Sequence, residues 1–322
     1  MTTRLAVAGY GSIAARHLEV FRALGVEAPA ACNRSPEGRR RALDEGGFLR
    51  TYASAAEMVE TERPDGVLVS ASVLSQFELT RELIPLGVPL LVEKPPGTSA
   101  AEARELARLA ATHATPVMVA LNRRFYSVLR RALDAVGGRE ALTRASVEWS
   151  EDPEKMARAG HPAEVLARLV FANSLHGLDL LTWLAGPLAD ASVTGENLDP
   201  SAPWPRWRMT AEGRGVTGVT ARFHSTWTAP VPWRLTFETP DARVVSAPLE
   251  TAVLHRASGA PEAVVPDDDD RRFKPGLMGQ ARAFLEVVRD RAPIRWPACS
   301  LEESLASMEL AEALTRACQA AR

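Results

Sequence analysis

The segment Gly9–Ala14 carries small residues at the spacing G-x-G-x-x-A, directly after the apolar run Leu5–Ala8. In a strand–turn–helix unit the first glycine permits a tight turn and the second lets a diphosphate approach the backbone. The alanine lets the helix pack closely on the strand, and the N–H groups at the helix start face the phosphates. The alternative is a glycine-rich turn without a ligand. The pattern predicts a bound dinucleotide, with contacts from Gly9, Tyr10, Gly11, Ser12 and Ile13.

A second cue to the ligand stands at the end of the next apolar run, Ala28–Cys32. An acidic side chain there would bind the ribose 2′-hydroxyl of NAD, whereas a basic one can pair with the 2′-phosphate of NADP. The residues are Asn33, Arg34 and Ser35, with two further arginines close behind. We therefore expect these three residues to contact the cofactor and NADP to be preferred over NAD. The alternative is that Arg34 is only a solvated loop residue.

These residues need a scaffold, and the first 120 residues alternate between short apolar runs and segments with helical spacing of apolar residues. Such alternation is typical of a parallel sheet covered by helices on both faces. The predicted strands are Leu5–Ala8, Ala28–Cys32, Gly66–Ser70, Pro89–Val92 and Val117–Ala120, and the predicted helices are Ala14–Leu24, Pro36–Glu45, Ala55–Thr61, Gln76–Leu86 and Ala100–His113. Ser54 and Ser99 each precede Ala-Ala-Glu, which predicts helix caps, and Gly87 suits a left-handed helix end. We predict an α/β Rossmann domain over residues 1–121, with a doubly wound parallel sheet.

Residues 122–322 differ in texture and are predicted to form a second, α+β domain for substrate binding and oligomerisation. Runs with period-two alternation, joined by connectors of Gly, Pro and Asp, predict a large, mostly antiparallel open sheet. Its predicted strands are Ala141–Ser150, Ala191–Asn197, Arg206–Glu212, Val216–Trp227, Trp233–Thr239 and Ala242–Ser246. Apolar spacing predicts helices on one face of this sheet over Ala163–Leu184, Leu277–Arg291 and Leu301–Ala320.

Five motifs, taken in order, resemble the Gfo/Idh/MocA family, which includes glucose–fructose oxidoreductases and inositol dehydrogenases. They are the G-x-G-x-x-A at Gly9, Glu93-Lys94-Pro95, Asn122-Arg123-Arg124-Phe125, the segment 176–186 that begins with His176, and the closing 280–285 that begins with Gln280. Their order and spacing cover nearly the whole chain. The resemblance implies an NAD(P)-dependent oxidoreductase with further cofactor contacts from Ala71, Ser72, Gln76, Glu93, Lys94 and Asn122.

Lys94 ends an apolar run, which places it at the carboxyl edge where open α/β sheets carry their chemistry. The resemblance implies that this lysine lies between nicotinamide and substrate as a catalytic residue. A buried ammonium beside a reacting hydroxyl lowers the free energy of a developing alkoxide, and its own pKa can fall toward neutrality. The alternative is a surface lysine at a strand edge, which is disfavoured because Pro95 and Pro96 turn the chain at once.

His176 and Asp179 are three residues apart on a helical pattern, so they share one helix face. The resemblance implies that His176 is the general acid/base at the reacting oxygen, and that Asp179, Asn173 and Arg123 bind the substrate. Histidine suits proton transfer because its ordinary pKa lies near neutral pH. The alternative is a satisfied buried histidine whose aspartate caps a nearby donor.

Two positions depart from the family pattern. The usual aspartate one helical turn before the histidine is Ala172 here, beside Asn173, and an amide takes no proton at neutral pH. The usual Thr-Pro-Asn-x-x-His after the third strand is replaced by a segment that ends in Gln76, without the histidine. These departures raise the alternative of an NADP-binding sensor with a degenerate catalytic site.

Composition and charge exclude several other classes of function. A net charge of −2 gives no field for nucleic acid or an anionic membrane, so neither is an expected partner. Three cysteines without CxxC spacing fit a reduced cytoplasmic protein rather than a disulfide framework or a thiolate metal site. Cations follow the run Asp267–Asp270, which predicts a solvated loop with local charge pairing and no bound metal.

The β-rich half carries a cluster of tryptophans, Trp204, Trp207, Trp227 and Trp233. They suit either a wall that stacks on a sugar or a sheet face buried against another subunit. We expect a homo-oligomer, a dimer or a tetramer, through this sheet. The combined prediction is an NADP-preferring dehydrogenase or reductase for a sugar, sugar derivative or polyol. A reductase of non-sugar carbonyls or of a conjugated double bond is a further alternative.

Overall fold

The computed structural model describes residues 2–228 and 231–321, and these divide into two compact units. The first unit contains the chain up to Phe125 together with Asp269–Ser304. The second contains Tyr126–Asp268 together with the chain from Leu305 onward. The predicted boundary after residue 121 lies close to the first crossover. The predicted second domain is continuous, however, whereas the structure returns Asp269–Ser304 to the first unit.

Apolar packing explains why Asp269–Ser304 belongs to the first unit. Phe284 in the returning segment lies edge-on to Phe21, with ring centroids 6.3 Å apart, and both belong to one buried core cluster. Cys299–Ser300 also adds a short antiparallel strand beside Val117–Val119. A helical pattern in the sequence shows that a helix has an apolar face, but not which of two cores buries it.

The first unit is built on a parallel sheet, as predicted. Its strands are β1 (Arg4–Ala8), β2 (Glu27–Cys32), β3 (Arg50–Tyr52), β4 (Gly66–Val69), β5 (Leu90–Val92) and β6 (Val117–Val119). Their spatial order is β3-β2-β1-β4-β5-β6. The order reverses between β1 and β4, and such a reversal opens a crevice at the carboxyl edge of the sheet. The prediction missed β3 because this three-residue edge strand has no apolar run.

Five helices of the first unit lie between these strands along the chain: α1 (Ser12–Ala23), α2 (Pro36–Gly46), α3 (Ala55–Glu62), α4 (Gln76–Leu83) and α5 (Ala100–His113). The two predicted caps are present, since Ser54 and Ser99 accept hydrogen bonds from backbone N–H groups three residues on, at 3.3 and 3.1 Å. Helix α4 is shorter than predicted because Pro85 cannot continue an α-helical hydrogen-bond pattern. The chain goes on as a 3-10 turn to Leu86, and Gly87 ends it with φ +72°.

The second unit contains an eight-stranded sheet. Its strands are β7 (Arg144–Ser150), β8 (Leu188–Asn197), β9 (Trp207–Gly215), β10 (Thr220–Thr226), β11 (Arg234–Glu238), β12 (Ala242–Ser246), β13 (Ala252–Arg256) and β14 (Glu262–Val264). The order is β14-β13-β12-β11-β7-β10-β9-β8, and only the β7–β10 pair is parallel among these neighbours. The predicted mostly antiparallel sheet is therefore confirmed. Strands β13 and β14 were not predicted; β14 has only three residues, at the edge of the sheet.

Helices α6 (Ser127–Ala135), α7 (Pro153–Arg158), α8 (Ala163–Leu166) and α9 (Leu175–Ala185) belong to the second unit. The single helix predicted over Ala163–Leu184 is instead broken, because a π-helical turn over Val170–Ser174 precedes α9. Every residue of α9 is buried. A Cβ at Gly177 would lie 2.7 Å from the ring of Trp149, so this glycine lets α9 approach β7 closely. No helix among the described residues is long and apolar enough to cross a membrane.

The chain ends with α10 (Asp268–Arg272), α11 (Leu277–Asp290) and α12 (Leu301–Ala320). The run Asp267–Asp270 was predicted as a loop, and the structure corrects this because three of its residues begin α10. Carboxylates in a first turn and arginines in a last turn both complement the helix dipole. The local charge pairing is present: Asp269 lies 2.8 Å from Arg282, and Asp270 accepts the N–H of Gly276 at 2.6 Å.

Candidate cofactor site and active site

The glycine turn after β1 exposes backbone at the start of α1. Gly9 has φ +95° and donates its N–H to the carbonyl of Cys32 at 2.8 Å. A Cβ at Gly9 would lie 2.3 Å from the carbonyl oxygen of Ser70, whereas a Cβ at Gly11 would meet nothing within 4 Å. The protein's own packing thus requires the first glycine, while the second keeps space open beside the helix start.

A cleft of about 1100 Å³ adjoins this turn and follows the carboxyl ends of β1, β2 and β4. The predicted cofactor contacts among its lining residues are Gly9, Tyr10, Gly11, Ser12, Ile13, Asn33, Arg34, Ala71 and Ser72. The first turn of α1 carries no acidic residue, so nothing there opposes an anion. Bare backbone, a positive helix end and this volume together fit the diphosphate and the nucleoside of NAD or NADP.

The side chains after β2 divide between the cleft and the scaffold. Asn33 accepts the N–H of Tyr10 through Oδ1 at 3.0 Å, and Arg34 donates to Oγ of Ser75 at 2.6 Å. Both Asn33 and Arg34 border the cleft. The hydroxyl of Ser35 instead caps α2 by accepting a backbone N–H at 3.0 Å, and Ser35 is not among the residues that line the cleft.

Cys32 also borders the cleft, at the end of β2. Burial, with the nearby carboxylate of Glu82 as a smaller contribution, raises the pKa of its thiol to about 11. The raised pKa favours the thiol over the thiolate at neutral pH.

Gln76 has a different place from the one predicted, because its side chain faces the protein backbone. The carboxamide is buried, accepts the N–H of Ala71 at 2.7 Å and donates to the carbonyl of Val69 at 3.0 Å. It does not line the cleft. Gln76 therefore shapes the loop that follows β4, and Ala71 and Ser72 of that loop border the cleft in its place.

Glu93 and Lys94 follow β5, and the structure adds a partner that the sequence analysis did not single out. The carboxylate of Glu93 lies 2.8 Å from Nε2 of His17 and accepts the backbone N–H of Lys94 at 3.1 Å. Burial opposes the charge, yet His17, Lys94 and Lys274 together lower the pKa of Glu93. Glu93 thus fixes the backbone of Lys94. The sequence signal that could have pointed to His17 is a polar, titratable residue on the apolar face of a predicted helix.

Asn122 and Arg123 lie in a 3-10 turn, Asn122–Phe125, after β6, and both are buried. The amide of Asn122 donates to the carbonyl of Pro275 at 2.8 Å. This bond ties the returning segment to the end of the sheet, so Asn122 has a clear structural role beside the predicted contact with cofactor. The predicted substrate contact of Arg123 stays a prediction.

The predicted residues of the second unit lie around the start of α9. His176 and Asp179 are buried on α9, and Asn173 is half-buried in the π-helical turn before it. The structure adds Glu151, which follows β7 and whose carboxylate accepts a hydrogen bond from Nδ2 of Asn173 at 2.7 Å. Glu151 and Asn173 are 22 residues apart in sequence, so no local spacing pointed to this pair.

Most tryptophans of the predicted cluster stack on other tryptophans within the second unit. Trp207 and Trp227 are buried and stack with ring centroids 5.1 Å apart, and Trp149 stacks on Trp233 at 4.2 Å. The other side of the sheet carries ion pairs between neighbouring strands, such as those of Arg208–Glu196, Arg222–Glu212 and Arg234–Glu148. An oligomer through this sheet stays a prediction.

Comparison with known proteins agrees with this site. Residues 3–121 match the Gfo/Idh/MocA profile, an oxidoreductase family with an NAD-binding Rossmann fold. The rhizopine catabolism protein MocA of Rhizobium meliloti is 24% identical over 285 residues, which are 84% of this chain and 81% of that protein. The myo-inositol dehydrogenase Hyg17 of Streptomyces leeuwenhoekii is 30% identical over 186 residues, which are 56% of this chain and 55% of the relative.

Solved structures share the fold over the full length. An oxidoreductase of Agrobacterium radiobacter, in complex with NAD+, L-tartaric acid and magnesium, has a TM-score of 0.83 at 15% identity and covers 100% of this chain and 98% of its own. The WlbA dehydrogenase of Chromobacterium violaceum, in complex with NADH and UDP-GlcNAcA, has a TM-score of 0.76 at 20% identity and covers 99% and 94%. At these identities the likeness shows the fold.

The fold and the glycine-lined cleft define an NAD-binding oxidoreductase with a Rossmann unit and a second, open-sheet unit. The match of residues 3–121 to the Gfo/Idh/MocA model, and the similarity to MocA over 84% of the chain, agree with the family resemblance that the five motifs predicted.

Proposed function

We propose that this protein is an NADP-preferring dehydrogenase or reductase that acts on a CH–OH or carbonyl carbon of a sugar, a sugar derivative or a polyol. The observation that carries the proposal is the open space beside Gly11 at the start of α1, which continues into the 1100 Å³ cleft. The substrate class is supported by relatives, since one is named a myo-inositol dehydrogenase and a neighbour holds UDP-GlcNAcA.

The preference for NADP is supported by the cations that border the cleft. Arg34 follows β2, and its guanidinium is held by Oγ of Ser75 at 2.6 Å. Arg41 also borders the cleft and donates to the carbonyl of Tyr10 at 2.8 Å. A guanidinium binds a phosphate by charge-assisted hydrogen bonds, and neither Asn33 nor Ser35 offers the carboxylate that would bind a ribose 2′-hydroxyl instead.

The proposed chemistry divides between the cofactor and the protein. When bound, the cofactor supplies hydride transfer at nicotinamide C4. The ammonium of Lys94 stabilises the negative charge that develops on the substrate oxygen, and Glu93 holds the backbone of Lys94 in place. His176 takes the proton from that oxygen during oxidation and returns it during reduction. Asp179, Asn173 and Arg123 bind the remaining polar groups of the substrate.

Calorimetry and a turnover screen test this proposal. We expect the protein to bind NADPH more tightly than NADH, and to reduce NADP+ in the presence of at least one compound among myo-inositol, common aldoses and UDP-N-acetylglucosamine. The protein also needs a screen in the reverse direction with aldehydes, ketoses and enones, because the alternative reductase would act only there. Binding without any turnover would favour the nucleotide sensor, and no affinity for either nucleotide would overturn the proposal.

A further inference from the structure

Glu151 is a buried carboxylate in the second unit, and it accepts hydrogen bonds from Trp149, Asn173 and Ser174. It follows β7 and is 5% exposed. Its Oε1 accepts from Nε1 of Trp149 at 2.8 Å and from Oγ of Ser174 at 2.7 Å, and its Oε2 accepts from Nδ2 of Asn173 at 2.7 Å. The two carboxylate oxygens therefore have separate tasks, and one of them faces Asn173.

This contact decides the polarity of Asn173. A carboxamide has a donor end and an acceptor end of nearly the same shape, and only its partners determine which end faces where. A carboxylate accepts hydrogen bonds and donates none. Nδ2 of Asn173 must therefore face Glu151, and Oδ1 is the end that Asn173 can offer to another group.

The carboxylate is held firmly enough to impose this choice. Trp149 is fully buried and stacks on Trp233 with ring centroids 4.2 Å apart, which fixes the indole N–H. Ser174 is fully buried in the π-helical turn, next to Asn173. Rotation of the Glu151 carboxylate would break these two bonds, and a buried group without its partner is costly. The orientation of Asn173 is thus set by the packing of β7 against the turn.

Asn173 stands three residues before His176, with Asn173 in the π-helical turn and His176 in the first turn of α9. Under the proposed function, on which this inference rests, both residues meet the substrate. We propose that Glu151 is a positioning residue that presents Asn173 as a hydrogen-bond acceptor. The substrate group read at Asn173 is then a donor, such as a hydroxyl beside the reacting carbon, and not a carboxylate or a carbonyl.

A consequence for selectivity follows. A site built to accept a hydrogen bond from a substrate hydroxyl rejects an analogue that cannot donate, because the site's own polar group is left without a partner. Fluorine has nearly the size of a hydroxyl and donates no hydrogen bond. Among the singly fluorinated deoxy analogues of myo-inositol, we expect one ring position at which fluorine lowers kcat/KM by about 10²-fold.

Glu151→Gln tests the assignment by reversing the polarity. Oε1 of the glutamine can keep the bonds from Trp149 and Ser174, and its Nε2 then faces Asn173. The Asn173 carboxamide must then rotate, so that its Nδ2 faces the substrate. An N–H group at this position does not need a hydrogen-bond donor on the substrate, so fluorine is tolerated there. We expect the 10²-fold penalty at that ring position to shrink to about 10-fold or less, mainly through KM. The double variant Glu151→Gln with Asn173→Asp restores an acceptor and should restore the penalty.

Glu148→Gln is the matched control, because Glu148 lies on the same strand but is exposed and paired with Arg234 at 3.3 Å. It should leave the fluorine penalty unchanged. NADPH affinity, measured by calorimetry, should be the same in all four proteins. An equal penalty in the wild-type protein and in Glu151→Gln would overturn the proposal.

A second measurement needs no substrate. In the NADPH-bound protein labelled with ¹⁵N-asparagine, the side-chain amide hydrogens of Asn173 should exchange with water at least 10-fold more slowly than in Glu151→Ala. Equal exchange in the two proteins would overturn the role of Glu151. If NADPH binds but no polyol, aldose or sugar nucleotide is turned over, the proposed substrate class fails, and this exchange comparison still decides whether Glu151 orients Asn173.

Discussion

The two units build their sites from different materials. In the first unit the cleft is formed by backbone, with a glycine turn, a helix start and the ends of parallel strands. In the second unit the candidate site is formed by side chains, in which Glu151 after β7 sets Asn173 in the π-helical turn before α9. A site made of backbone depends on residues that are close in sequence. A site made of side chains depends on residues that are distant in sequence and that only the fold brings together. The glycine turn was therefore visible in the sequence, whereas the pairing of Glu151 with Asn173 was not.

The largest effect is expected at Gly11, where the backbone site can be closed at a small cost to the fold. Gly11→Val adds a side chain into open space beside the helix start, in an extended backbone conformation that valine adopts readily. NADPH affinity should fall by about 10³-fold in calorimetry, whereas the loss of the N-cap glycine should cost only about 1 kcal/mol of stability. Gly9→Ala is the contrasting variant, because its Cβ meets the Ser70 carbonyl and its φ is +95°. It should lose about 2 kcal/mol or more of stability.

Lys94 is the ammonium that we propose for catalysis, and its removal should reduce turnover without loss of cofactor binding. Lys94→Ala should lower kcat by about 10²-fold or more, because the charge on the substrate oxygen loses its nearest ammonium. NADPH affinity should change by less than about 2-fold, since the diphosphate is held by the glycine turn. Lys155→Ala, at an exposed position of α7, serves as the control for lost positive charge. Near wild-type turnover in Lys94→Ala would remove this lysine from the mechanism.

His17 tests whether the first unit also depends on a side-chain contact from a distant element. His17→Leu removes the partner of a buried carboxylate and should cost about 2 kcal/mol of unfolding free energy at pH 7. The pKa of Glu93 is lowered in the folded protein, so its stabilising contribution is complete above its ordinary value of 4.5. That contribution is lost as the pH falls through the lowered value.

The stability difference between wild type and His17→Leu should therefore be full at pH 7 and shrink below about pH 4.5. Urea unfolding at a series of pH values measures it. A difference that stays constant from pH 7 to pH 3.5 would show that His17 acts through packing rather than through the charge of Glu93.

The smallest effect is expected at Arg34. Arg34→Ala should raise the KM for NADP+ by about 10-fold and leave the KM for NAD+ within about 2-fold, because only NADP+ carries the 2′-phosphate that this guanidinium would bind. Arg40→Ala, an exposed arginine that does not line the cleft, is the matched control. Equal changes for both nucleotides in Arg34→Ala would remove the proposed basis of the NADP preference.

Some features of the structure were predicted correctly from the sequence, and others were not. The glycine turn, the strands that follow one another as apolar runs, and the caps at Ser54 and Ser99 were all predicted from spacings of two to five residues. The errors lie where spacing carries no information. The helix 277–290 was assigned to the second domain, yet its apolar face packs within the first unit, on α1 through Phe284 and Phe21. Gln76 stands in a predicted contact segment, yet its amide serves the backbone of the loop.

The amino-acid sequence by itself determined the order of most elements and the Rossmann turn, because these depend on local backbone preferences and on short-range patterns of apolar residues. Tertiary structure alone decided that His17 meets Glu93, 76 residues away, and that Glu151 meets Asn173. Hydrogen bonds between buried side chains form only after strands and helices have packed, so their partners follow from the path of the chain through space.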